Sequence, residues 1–132
     1  MFLGIKCILA LALLMTAANA DQRQKVVDFH RPCLDNHGVE DEDLTKALDY
    51  GQIRDDDDFY LHFFCVAKRA NVMSDDGVVN TDNFENDMKG IIDDHNMENV
   101  AAIVRHCLIQ KSTVLETIRD AVNCFLGKDH KL

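Results

Sequence analysis

Proline and glycine are scarce, one and six in 132 residues. A sheet protein needs turn residues at short intervals and runs of alternating polarity. Neither occurs here, which argues against a β fold. No internal repeat and no low-complexity linker divides the chain. Paired metal-ligand spacings are missing as well: there is no CxxC, no HxH and no HxxxH, so zinc lacks a local anchor. No serine stands in a nucleophile-elbow context. Positive charge is also in short supply, with 14 Lys and Arg against 23 Asp and Glu, a net charge of −9. Such a chain has no electrostatic reason to hold nucleic acid or an anionic membrane face. The acidity reads most simply as solubility.

What is present begins with a targeting segment. Lys6 precedes an apolar run from Cys7 to Met15, and Ala18-Asn19-Ala20 ends it in the small-x-small pattern of a signal-peptidase site. The run is too short to span hydrocarbon comfortably, and no stop-transfer charges follow. Residues 1–20 are therefore expected to be a secretory signal peptide and residues 21–132 one secreted, extracellular domain. Without Lys6 the remainder holds 13 basic and 23 acidic residues, or −10.

Removing Cys7 with the signal leaves Cys33, Cys65, Cys107 and Cys124. An even count in a short exported chain reads as two disulfides, with three connectivities open. Each would stabilise the fold by roughly 3 kcal/mol in the loop-entropy picture. All four thiols then have plausible partners, and oxidised sulfur is no nucleophile. No enzyme is read from the chain, and no cofactor.

Helical periodicity predicts six segments. The first spans about 22–37 and contains Pro32, where a kink or restart is expected. The second, 41–50, starts with acids and stops at Gly51, with Val39 and Leu44 spaced for a hydrophobic staple. The central segment starts at Asp55 and reaches about residue 71. Four carboxylates, Asp55 to Asp58, suit the positive end of its dipole, and Leu61, Phe63, Phe64, Cys65 and Val66 cover much of its circumference. The Ser74-Asp75-Asp76-Gly77 cluster makes a turn. The fourth segment, 82–95, carries Phe84, Met88, Ile91 and Ile92 as an apolar stripe and opens on a capping-box spacing, Asp82 to Glu85. The fifth spans 97–110. The sixth, 113–127, opens on a second capping-box spacing, Thr113 to Glu116. The acid run from Asp55 lacks the glycine of an EF-hand loop, and in the second acidic turn the first ligand would fall on Val72, so calcium is not indicated. The histidines read as surface or satisfied polar residues. The result is an all-α domain. Antiparallel packing of the fifth and sixth helices could bring Cys107 to Cys124, which would leave Cys33 for Cys65.

The cysteine spacing resembles that of the insect pheromone- and general odorant-binding proteins, and specifically their four-cysteine (minus-C) subgroup. Six-cysteine members pair first with third, second with fifth and fourth with sixth. Their second cysteine would fall at Leu61 and their fifth at Leu115 or Glu116, so both absent cysteines belong to one bridge. The gap between Cys65 and Cys107 and the Met73-to-Gly77 turn are similar too. The resemblance covers residues 21–132. It implies six short helices around an apolar cavity, disulfides Cys33–Cys65 and Cys107–Cys124, and a secreted carrier of odorants, pheromones or other small hydrophobic ligands. Loss of the middle bridge should loosen the packing of the central helix on the sixth.

Apolar stripes alone usually just bury one another, so the residues by themselves favour a packed core over a cavity. On the resemblance, the expected wall residues are Phe29, Leu61, Phe64, Met73, Phe84, Met88, Ile91, Val104, Leu108, Ile118, Val122 and Phe125, with Tyr60 as the polar anchor. The expected partner is a small hydrophobic ligand, with no nucleic acid and no metal; an odorant receptor or a second copy of the chain is left open. A rival reading is a secreted helical signalling ligand with an exposed apolar patch and no cavity. A non-olfactory role in haemolymph, saliva or reproductive fluid is another.

Overall fold

The computed structural model describes residues 20–34 and 38–126. The expected signal peptide therefore lies, but for Ala20, outside the described residues, as do the tail after Leu126 and residues 35–37. Among the described residues six helices follow one another: α1 (Ala20–Leu34), α2 (Asp41–Tyr50), α3 (Asp57–Arg69), α4 (Phe84–Asp87), α5 (Asp94–Cys107) and α6 (Val114–Leu126). Among the described residues, β structure is confined to two isolated bridges, Met73 with Val79 and Lys89 with Ile92. The all-α class is as expected.

The central helix α3 forms for the anticipated reason, two residues later than the acid run begins. The Asp56 carboxylate caps it by accepting from the Phe59 N–H at 2.9 Å, with Asp57 and Asp58 in the first turn and Lys68 and Arg69 in the last. Arg54 donates to Asp56 at 2.8 Å and to Asp43 at 2.9 Å, so the starts of α2 and α3 are tied together. This pairing holds the Asp56 carboxyl below its ordinary range. Helix α3 packs against α6 and α1, and α5 packs against α6. Phe59 and His62 on α3 are completely buried. At α2 the Asp43 carboxylate accepts from the Glu40 N–H at 3.1 Å, and the staple residues Val39 and Leu44 are both buried in the core.

Three expectations are corrected. Helix α1 runs through Pro32 as one helix and ends at Leu34. No restart occurs: Pro32 lacks the one N–H that would reach the Asp28 carbonyl, and the helix continues past it. The helix expected over 82–95 is one turn, α4. Gly90 has φ +83°, which only glycine adopts freely, and the Ile91 and Ile92 N–H groups both reach the Met88 carbonyl at 3.0 Å. The apolar stripe is real, since Phe84, Met88 and Ile92 are all buried, but a turn and a reversal deliver those side chains as well as a helix would. Third, no capping box forms between Asp82 and Glu85. The Asn83 cap has no side-chain bond, and Glu85 accepts two bonds from Arg105, at 2.6 and 2.7 Å. At α6 the second box forms with a shift: Thr113 Oγ1 accepts from the Glu116 N–H, while Glu116 accepts from Ser112.

Both disulfides join the cysteines anticipated. Cys33–Cys65 links α1 to α3 with Cα atoms 5.8 Å apart, and Cys107–Cys124 links α5 to α6 at 5.4 Å. Between α3 and α4 the chain makes a tight turn, with Ser74 N–H bonded to the Val78 carbonyl and Asn80 N–H to that of Val72, both at 2.9 Å. Gly77 (φ +83°) packs so closely that a Cβ there would lie 2.4 Å from Cγ2 of Val114. This turn sits against the start of α6.

Candidate functional site: an apolar cavity between the helices

The helices leave a space between them. It is an apolar cavity of about 190 Å³, half open to solvent. Helix α1 supplies Val26, Phe29 and His30, α2 Leu48, and α3 Phe63, Val66 and Ala67. Ala70, Val72, Phe84, Met88, Ile91 and Ile92 come from the segment that leads from α3 to α5. Val100, Val104, Cys107 and Leu108 close the α5 side, and Ile118, Ala121, Val122, Phe125 and Leu126 the α6 side. Of these lining residues His30 alone carries a side-chain nitrogen or oxygen. An enclosed apolar space of roughly 150 Å³ is known to take up a benzene-sized guest. A volume of this size and lining suits an apolar molecule better than water, which needs two to four polar partners.

Of the wall residues expected from the sequence, Phe29, Phe84, Met88, Ile91, Val104, Leu108, Ile118, Val122 and Phe125 line this space. Tyr60, Leu61, Phe64 and Met73 lie elsewhere. The Tyr60 hydroxyl donates to Asp55 at 2.7 Å and accepts from Asn123 at 3.3 Å, stitching the start of α3 to α6. Burial and the Asp55 bond raise its pKa. Leu61 is half-buried, and the ring of Phe64 carries the Lys68 ammonium 4.5 Å from its centroid. Met73 is buried in the core beside its bridge to Val79.

On α3 it is the neighbouring stripe, Phe63, Val66, Ala67 and Ala70, that meets the cavity. These four are spaced i, i+3, i+4 and i+7, as regular as the set through Leu61 and Phe64. The signal was in the sequence; which of two apolar faces turned inward was not. Cys65 lies on the Leu61 and Phe64 side, so its bridge to Cys33 turns that side toward α1 and leaves the opposite stripe for the cavity.

His30 was missed entirely. Its Nδ1 lies 3.0 Å from Nε2 of His62, and the two rings stack with centroids 5.2 Å apart. Phe63 packs edge-on against both, at 5.4 and 5.1 Å. Burial, the neighbouring His62 and the Arg69 guanidinium lower the pKa of His30 to about 3, so it is neutral at physiological pH. The pair lies one turn before the disulfide on each helix, since Cys33 and Cys65 follow His30 and His62 by three residues. Arg69 donates to the Phe29 carbonyl at 3.0 Å beside it. No sequence signal marks this contact, because its partners are 32 residues apart.

No group of His, Cys, Asp or Glu among the described residues is placed to hold a metal ion, and none of the helices described is long and apolar enough to cross a membrane. A family model, described as the PBP/GOBP family, matches residues 15–128. No curated protein and no solved structure matches the chain.

Proposed function

The chain belongs to the PBP/GOBP family, and from that premise we propose that it is a secreted carrier which takes up small hydrophobic molecules reversibly and releases them unchanged. The observation that carries this reading is the 190 Å³ apolar cavity between two disulfide-linked helix pairs. Export is supported by the signal-like segment ahead of Asp21 and by the oxidised cysteines. The two bridges, with Leu61 and Leu115 or Glu116 where six-cysteine relatives would hold a third, support a place in the four-cysteine subgroup.

Affinity follows from burial. A ten-carbon chain gains about 8 kcal/mol at roughly 0.8 kcal/mol per methylene. Ordering of chain and protein consumes part of that, so dissociation constants around micromolar are expected. Phe29, Phe84, Met88, Ile91, Val104, Leu108, Ile118, Val122 and Phe125 are the proposed ligand contacts. Fluorescence of an apolar naphthylamine probe should rise on binding and fall as long-chain alcohols or aldehydes displace it. Failure of the probe to bind at tens of micromolar protein would overturn the proposal.

A further inference from the structure

A cavity walled by carbon selects by size alone, unless a polar group reaches it. Here one does. His30 is 6 % exposed and lines the cavity, and its Nδ1 is engaged by His62 at 3.0 Å. Its second nitrogen, Nε2, makes no hydrogen bond among the described residues, and the ring is the one polar side chain of the lining. The ring cannot swing away to solvent. Phe63 blocks it edge-on, the His62 ring stacks on it, and the Cys33–Cys65 bridge one turn on holds the two helices in register.

We propose that His30 is the polar anchor of the cavity: its Nε2 hydrogen-bonds a single uncharged oxygen function, a hydroxyl or a carbonyl, at one end of an otherwise apolar ligand. The inference rests on the carrier reading and names the ligand class for that same cavity. A neutral imidazole can donate or accept, according to which nitrogen holds its proton. It therefore meets an alcohol or an aldehyde equally well. A carboxylate would lose hydration against a lining that contains no charged side chain, and so is disfavoured. An unadorned hydrocarbon would leave a buried nitrogen unbonded, a cost that favours a ligand with an oxygen.

Decanol and decyl chloride match in chain length and differ in hydrogen bonding, so the pair isolates this contact. Displacement titrations on the native protein should show decanol binding about fivefold more tightly, the factor that one net hydrogen bond supplies. In the double variant His30→Leu with His62→Leu, which removes both partners and leaves neither ring alone, that preference should vanish while decyl chloride still binds. If the double variant does not fold, imidazole ¹⁵N spectra of the native protein decide. The His30 Nε2 resonance moves with decanol and not with decyl chloride if the anchor is real. Equal affinity for the two probes, a preference that survives the double substitution, or an Nε2 resonance indifferent to decanol would each overturn the anchor and leave the carrier reading standing. Absence of binding by either probe would instead overturn the carrier reading itself.

Discussion

The two sides of the cavity are held by different physics. One side is helical and covalent: α1 and α3 are bridged by Cys33–Cys65, α5 and α6 by Cys107–Cys124, and their facing stripes pack directly. The other side, residues 70–93, contains only the single turn α4 and two isolated bridges, yet it contributes Val72, Phe84, Met88, Ile91 and Ile92 to the lining. Long side chains latch it down. Gln22, buried at the start of α1, donates to the Ile91 carbonyl and accepts from the Asp93 N–H. Gln110 donates to the Gly77 carbonyl and accepts from the Val79 N–H, and Arg105 holds Glu85 and the Thr81 carbonyl. A wall held by a few side-chain bonds opens at lower free energy than one held by sulfur and packing. The irregular wall is where a guest has the cheapest way in.

Breaking the covalent side should have the largest effect. Cys33→Ala with Cys65→Ala frees a loop of 32 residues and is expected to cost about 3–4 kcal/mol, read as urea midpoint. A loss well under 1 kcal/mol would show that packing alone holds α1 on α3.

Breaking the latch should cost less overall and act locally. Gln22→Leu leaves a part-buried carbonyl and N–H without their partner, about 1–2 kcal/mol. Amide exchange should accelerate over 72–93 while α3 and α6 stay protected. Equal acceleration everywhere would mean that the two walls unfold as one unit.

Acid should reach the helical side first. The folded pKa of His30, about 3, lies below the unfolded value near 6.5. The unfolded chain therefore binds more protons as pH falls through that window. Stability is full above pH 6.5 and declines toward pH 3, on the order of 1 kcal/mol per pH unit from this group. Between pH 6.5 and 5.5 the melting temperature should fall in the native protein, and should fall less once His30 and His62 are both leucine. A native protein with no such fall would refute the neutral buried ring.

The smallest effect is expected at Arg105. Its partner Glu85 is held at a pKa of about 2 by the guanidinium, but the pair faces solvent, where ion pairs contribute little. Arg105→Gln should shift melting by no more than a degree or two. Its loss should still speed exchange near α4. Unchanged exchange there would leave Gln22 and Gln110 as the working latches.

Legibility in the sequence divided along the same line. On the helical side, caps and stripes at Asp56, Leu44 and Ile118 were readable because they arise within a few residues of chain. Along 82–95 the same reasoning failed, since buried Phe84, Met88 and Ile92 satisfy a helical period without a helix and Gly90 turns the chain. On α3 two stripes competed, and local spacing could not rank Phe63 above Leu61. Tyr60 had the chemistry of an anchor, but its hydroxyl is taken by Asp55 and Asn123.

Determined by the sequence alone were the helical class, the extent of most helices and a set of apolar faces, because periodicity, capping and the scarcity of turn residues are local properties. The tertiary structure decided which of those faces enclose the cavity, that an irregular segment completes it, and that His30 meets His62 inside it. Those outcomes depend on contacts between residues tens of positions apart, which no local pattern encodes.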